Sequence, residues 1–259
     1  MNISVLMPHW RKLEFLPRTL PPLLAQLEED DEILVMCDGD YNEVLLYMEE
    51  NHPAELRDKV IKVAGYCLKP EGAYRISNLM NQGFSIAKNE MVVTLAPDCL
   101  VQENWRRNLV MHIGRGKLVI GRVDIEGLDK GVLQDVRIMA MYAPQVNIAE
   151  LCWGANMAVS KQDFYAVGGY DESFDGGWGC EDSMMGAKMI AMGLEYVFVI
   201  DAPVLHCYHP KTFFGDSADN GILYRNRMMY YEFLWSNWDK LRGRQVKVVS
   251  SFDYEETDQ

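Results

Sequence analysis

The chain has 259 residues, 49% of them hydrophobic, enough to bury the core of one large domain or two fused lobes. Its 25 basic and 38 acidic residues leave a formal charge of −13, which argues against a long electrostatic footprint on nucleic acid or anionic lipid. Six scattered cysteines, with no Cys-x-x-Cys pair, argue against a zinc ribbon or dithiol redox centre and read as free thiols of a reducing compartment.

The first apolar run, Ile3 to Met7, is ended by Pro8 and reads as a strand, not a secretion signal. Further short apolar runs, Glu32–Cys37, Val60–Ala64 and Met91–Leu95, predict buried strands. Between them Leu13–Leu27, Asn42–Asn51 and Tyr74–Lys88 carry apolar residues at helical spacing. Repeated β-α-β order predicts a mostly parallel sheet with helices on both faces, and such sheets bind ligands beyond the carboxyl ends of their strands. Three of those ends are polar: Pro8-His9-Trp10, Asp38-Gly39-Asp40 and Ala96-Pro97-Asp98. Singly, each is an ordinary turn; together they predict a ligand crevice. The pairs Arg106-Arg107 and Arg242 with Arg244 read as solvated helix faces.

The second half changes character. Lys117–Val123 predicts another strand, followed by an aperiodic stretch to about Glu150, then a strand or hairpin arm over 153–160 and a short helix over 161–167. A glycine-rich loop, 168–179, leads into Glu181-Asp182 and a helix to about Met192. Strand 195–200 comes next, then the segment His206-Cys-Tyr-His209-Pro, and a last helical region over about 219–238 rich in Tyr, Met and Trp. No apolar stretch reaches the roughly 20 residues a bilayer span needs. The expectation is a cytoplasmic protein without a transmembrane segment.

The loop Asp175-Gly-Gly-Trp-Gly-Cys-Glu-Asp182 is the most informative stretch. Glycines let the chain bend closely around a ligand, and a tryptophan among them suits stacking on a sugar face. The two carboxylates fall in the first turn of a helix, where the dipole is expected to keep an aspartate ionised and ready to accept a proton. Acidic residues also cap helices with no further role; the glycines and Trp178 upstream favour the functional reading. The histidines at 206 and 209 suit a metal site with Asp98 or, equally, polar residues leaving a strand.

In order and spacing these pieces resemble the GT-A glycosyltransferases, specifically family 2-like enzymes with a galactosyltransferase-type C-terminal segment. The resemblance rests on Ile3-Ser-Val-Leu-Met-Pro8, Glu32-Ile-Leu-Val-Met-Cys-Asp38-Gly39, Arg75 and Asn81 with Ala87-Lys-Asn-Glu90, and Gly168-Gly-Tyr-Asp-Glu-Ser-Phe174 leading to Asp182. It implies a GT-A, Rossmann-like α/β fold: a mixed, mostly parallel sheet flanked by helices in a single large domain. A donor half would span 1–115 and an acceptor and catalytic half 116–215, with a C-terminal helical region and tail over 216–259.

It also implies a hexosyl- or N-acetylhexosaminyl-transferase, inverting and assisted by Mn²⁺ or Mg²⁺, using a UDP-sugar donor and a hydroxyl acceptor such as a glycan. Pro8, Asp38, Arg75 and Asn81 would contact the donor. Asp98 would end the family's Asp-x-Asp metal motif, whose first carboxylate is replaced here by Ala96, with His206, or alternatively His209, as a further ligand. Asp182 would be the base, with Glu181, Gly177 and Trp178 facing the acceptor. Nucleic acid is disfavoured by charge as a partner, while a nucleobase stays among the acceptor classes. A sugar-nucleotide nucleotidyltransferase would need a glycine-rich loop after the first strand, and Met7-Pro-His-Trp-Arg-Lys12 has none. A non-catalytic nucleotide-sugar-binding module is the other alternative, prompted by Ala96.

Overall fold

The computed structural model describes residues 1–59, 61–66, 75–127, 152–177, 179–209 and 220–250. Strands β1 (Ile3–His9), β2 (Glu32–Asp38), β3 (Ile61–Tyr66) and β4 (Met91–Leu95) form the parallel half of a sheet in the order β3-β2-β1-β4. Their residues alternate between two apolar layers. Leu6, Leu34 and Met36 face one; Val5, Met7, Ile33 and Val35 face the other. Burial on both faces explains why these strands read as unbroken apolar runs.

Helices α1 (Leu16–Leu24) and α2 (Tyr41–Asn51) cover the second layer with Leu16, Leu20, Leu23, Val44 and Met48. Helix α4 (Ile76–Ile86) covers the first, and Gly83 lets it lie against β1: a Cβ there would stand 2.2 Å from a methyl of Leu6. Phe84 stacks on Phe164 with ring centroids 3.6 Å apart. Short helices α3 (Ala54–Lys59) and α5 (Trp105–Val110) complete this half. Arg106 is no solvated residue. It is buried against Asp31 and Glu28, at 2.5 and 2.6 Å, because the charges are paired where the strands begin.

Beyond β4 the sheet becomes mixed, with β7 (Asn156–Ser160) antiparallel to both β4 and β6 (Lys117–Ile125). Strand β8 (Glu195–His206) is longer than its apolar run predicts. Its first part pairs in parallel with β6 and β9 (Val246–Val249); its last residues pair antiparallel with β5 (Cys99–Val101). The β6–β8 register shifts between Gly121 and Val123. Buried Asn156 anchors that irregularity, donating to the Arg122 and Ala202 carbonyls and accepting from Trp105 Nε1 at 3.0 Å. Such bulges re-aim a strand end, and this one carries His206 to the edge where Asp98 lies.

Helix α6 (Lys161–Ala166) follows β7, and α7 (Glu181–Met192) packs Met184, Met185, Met189 and Ile190 into the first apolar layer. The last helices, α8 (Asn220–Ser236) and α9 (Trp238–Leu241), close that layer with Tyr230 and Leu241. Asn226, fully buried, donates to the carbonyls of Phe174 and Gly179, so α8 braces the glycine loop. Among the described residues no helix is long and apolar enough to cross a membrane.

Candidate active site

The carboxyl ends of the strands bring together most of the residues singled out from the sequence. Ala96 to Cys99 forms a tight turn closed by Cys99 N–H on the Ala96 carbonyl, and Thr19 Oγ1 holds the Pro97 carbonyl at 2.9 Å. Pairing of Cys99 with His206, and Cys207 N–H on the Asp98 carbonyl at 2.8 Å, sets Asp98 beside the end of β8. Both histidines reach it: His209 Nε2 lies 3.0 Å and His206 Nε2 3.6 Å from Asp98 Oδ2. The segment after β8 is braced by Glu126, which accepts from Tyr208 N–H and is paired with Arg18 at 2.7 Å.

Asp98, His206 and His209 each offer a ligand atom within 4.8 Å of the others, so they form a group able to hold a metal ion. Burial pushes the Asp98 carboxyl up, but the charges of His206, Lys12 and His209 outweigh it and hold it below its ordinary value. Burial pulls His206 down, helped by the positive charge of His209 and Lys12, and leaves its lone pair available at neutral pH. Ala96 packs at the edge of the second apolar layer.

Lys12 carried no signal in the sequence beyond its place after β1. Its ammonium lies 2.9 Å from Asp98 Oδ2 and 2.7 Å from His209 Nε2, contacts that only the fold creates.

At the ends of β1 and β2, Asp38 is fully buried and pairs with Arg75 through Nε at 2.9 Å and Nη2 at 2.6 Å, while Arg75 lies over the Tyr66 ring. Pro8 sits in β1 at the same edge. The polar strand ends also bond to one another: His9 Nδ1 and Arg11 N–H both meet Asp40 Oδ2, at 2.8 and 2.7 Å. His9 Nε2 and Asp40 Oδ1 remain buried without a hydrogen-bond partner. Asn81 is occupied elsewhere. Its amide donates to the Tyr170 carbonyl and Glu172 and accepts from Tyr170 N–H at 2.8 Å, which ties α4 to the start of the glycine loop.

That loop is tied down a second time. Asp175 accepts from the N–H groups of Ser77 at 2.8 Å and Asn78 at 3.1 Å, so a distant carboxylate caps α4 one turn from Arg75. Gly177 is buried, and Trp178 lies outside the described residues. Gly179, at φ +108°, and Cys180, at φ +71°, turn the chain sharply into α7.

Glu181 then accepts from Gly179 N–H at 3.1 Å, and Asp182 accepts from Gly154 N–H at 3.2 Å and Ser183 N–H at 2.7 Å. Burial raises both carboxyls, and each adds to the cost of charging the other; Glu181 is pushed up to about 8. The helix dipole, which favours a charged Asp182, is opposed here by burial. A dipole contribution of about 0.3–1 kcal/mol does not outweigh desolvation and like-charge repulsion. Burial and the neighbouring Asp182 favour the protonated form of Glu181, while the N–H groups of Gly154 and Ser183 favour the anion of Asp182.

One chain of contacts joins the two clusters. Ala96 N–H bonds the Ala155 carbonyl at 3.3 Å, Thr94 Oγ1 bonds the Gly154 carbonyl at 2.6 Å, and Gly154 N–H reaches Asp182. The Asp98 turn and the acid pair thus flank the same entry to β7.

A mixed sheet with this strand order, helices on both faces and an Asp-His site at the strand ends defines the GT-A class of glycosyltransferase folds. Solved structures agree: S. aureus TarS 1-349 in complex with UDP-GlcNAc superposes with a TM-score of 0.64 at 11% identity, covering 93% of this chain and 66% of that one. The mannosyltransferase PcManGT from Pyrobaculum calidifontis, in complex with GDP-Man and Mn²⁺, gives 0.61 at 14% identity over 92% of this chain and 71% of its own.

The glycosyl transferase family 2 model matches residues 4–165, more than half the sequence, and the chain belongs to that family. A second model, the N-terminal domain of galactosyltransferase, matches residues 137–210. Validoxylamine A glucosyltransferase from Streptomyces hygroscopicus subsp. jinggangensis (strain 5008) is 24% identical over 245 residues, covering 81% of this chain and 56% of the relative. The chain spans about half the length of the curated relatives it matches.

Proposed function

We propose that this chain transfers a hexosyl or N-acetylhexosaminyl group from a UDP-sugar to a hydroxyl acceptor, with inversion and with the help of a divalent cation. One observation carries the reading: a histidine-flanked Asp98 and the adjacent carboxylates Glu181 and Asp182 flank one strand edge, joined through Gly154. Displacement of a nucleoside diphosphate needs a base for the acceptor hydroxyl and positive charge for the leaving group. In this reading Asp182 accepts the acceptor proton, and protonated Glu181 donates a hydrogen bond to an acceptor oxygen. Pro8, Asp38 and Arg75 contact the donor, Arg75 near its phosphates. Gly177 and Trp178 belong to the acceptor side.

The donor set of one carboxylate and two imidazoles fits a cation that accepts nitrogen, Mn²⁺ better than Mg²⁺, held by Asp98, His206 and His209. When bound, it would neutralise charge developing on the diphosphate. The UDP-GlcNAc complex of the TarS neighbour supports the uridine donor, and the Mn²⁺ in the mannosyltransferase neighbour supports the metal. The halves 1–115 and 116–215 are read as donor and acceptor sides, with 216–259 bracing the second. A cytoplasmic location is read from the scattered cysteines of the sequence, which form no Cys-x-x-Cys pair.

Thermal-shift titration with UDP- and GDP-sugars, with and without Mn²⁺, tests the donor and metal together. Stabilisation by UDP-sugars that needs Mn²⁺ is the expected result; preference for a guanine nucleotide would overturn the donor assignment. Ala96 favours a second reading, a module that binds a nucleotide sugar without turning it over. Chelator-sensitive hydrolysis of the donor would exclude it.

A further inference from the structure

Lys12 converges on the atoms that a cation would use. Its Nζ lies 2.9 Å from Asp98 Oδ2 and 2.7 Å from His209 Nε2, on two of the three side chains that make up the metal-ligating group. A surface ion pair would satisfy the carboxylate alone. This ammonium also takes an imidazole nitrogen, and the three side chains are only 15%, 6% and 20% exposed for Lys12, Asp98 and His209.

The loop delivers Lys12 to this place under constraint. Arg11 adopts φ +51°, a conformation that non-glycine residues rarely take, and its N–H is fixed on Asp40. Phe15 N–H closes a turn on the Lys12 carbonyl, and the Phe15 ring stands between neighbours, 5.3 Å from the Lys12 ammonium and 5.8 Å from the His209 ring.

An ammonium and a divalent cation cannot share those two atoms, because like charges at such separation repel strongly even at the effective dielectric of a protein surface. Ala96 makes the competition sharper: with the first motif carboxylate gone, one carboxylate is left to neutralise whichever cation is present.

We propose that Lys12 is a built-in occupant of the cation site, holding Asp98 and His209 in place without metal, and that a bound divalent cation displaces its ammonium towards the donor diphosphate. The inference rests on the glycosyltransferase reading for the diphosphate and on this chain's own contacts for the exchange. Lys12 thereby sets two affinities in opposite directions. It weakens the metal alone and strengthens the nucleotide once metal is present.

The test is Mn²⁺ binding by electron paramagnetic resonance, without nucleotide, for the wild type, Lys12→Met, Lys12→Gln and Asp98→Ala. Thermal unfolding checks that each variant is folded. Both Lys12 variants are expected to bind Mn²⁺ about tenfold more tightly than the wild type, since the competitor is gone, whereas Asp98→Ala loses the tight site. In calorimetric titration with UDP at saturating Mn²⁺, the same Lys12 variants are expected to bind about tenfold more weakly. Unchanged or weaker Mn²⁺ binding in folded Lys12→Met and Lys12→Gln, with a wild type that binds Mn²⁺ through Asp98, overturns the exchange and leaves the metal site standing. Absence of Mn²⁺ binding in the wild type and both Lys12 variants overturns the metal site and the exchange together.

Discussion

Two acidic clusters lie at one strand edge and are stabilised in opposite ways. Asp98 is surrounded by Lys12, His206 and His209 and is held in its charged form. Glu181 and Asp182 have each other and a few backbone N–H groups, and burial drives them towards protonation. The side chains belong to the same chemical class; the environment favours the charged form of one and the protonated form of the others. An enzyme that must hold a leaving diphosphate and deprotonate an alcohol needs both states together.

The sharpest way to break this division is at Asp182. Asp182→Asn is expected to lower turnover by about 10³-fold, the range for removing a general base, while UDP binding measured by calorimetry stays within a few-fold of wild type. Parallel loss of UDP binding would place Asp182 on the donor side and end the division. Asp98→Asn should do the reverse. It is expected to reduce Mn²⁺ affinity and Mn²⁺-dependent UDP affinity by about 10²-fold, with the pH profile of residual transfer unchanged.

The acid pair also makes a prediction for stability. The folded pair holds a proton up to about pH 8, whereas an unfolded glutamate loses its proton near 4.5. Between those values the folded state binds more protons, so the pair's contribution to stability falls as pH rises through that window. Glu181→Gln removes the effect. Its melting temperature should match that of the wild type near pH 5 and exceed it by about 3 °C near pH 8.5 in scanning calorimetry. Parallel melting curves across that range would show that the Glu181 carboxyl is not raised in the folded state.

The smallest effect concerns a residue that the resemblance assigns to the donor. Asn81→Ala should lower the melting temperature by about 3 °C through its lost bonds to Tyr170 and Glu172, with UDP affinity unchanged within twofold. A drop in UDP affinity without destabilisation would restore Asn81 to the donor site.

The four parallel strands were legible because burial on both faces writes continuous apolar runs. Strands β5 and β9, of three and four residues, carry too little periodicity to be read, and the far end of β8 is extended by pairing rather than by its own pattern. The glycine loop and acid pair stood out because glycine marks unusual backbone angles, and Gly179 at φ +108° bears this out. Their protonation could not be read, since it depends on what surrounds them. Lys12 was illegible for a related reason: its partner Asp98 comes from a different strand end, and an ordinary loop lysine looks the same in one dimension.

Asp175 has a consequence for anyone seeking to redirect this chain to new acceptors. The loop that would be grafted from another protein also supplies the cap of the helix that follows Arg75. A transplant lacking an equivalent carboxylate at 175 would leave the N–H groups of Ser77 and Asn78 without it and loosen the start of α4, next to Arg75. Side chains within the loop can be exchanged without touching that cap, but a wholesale graft succeeds only if the carboxylate travels with it.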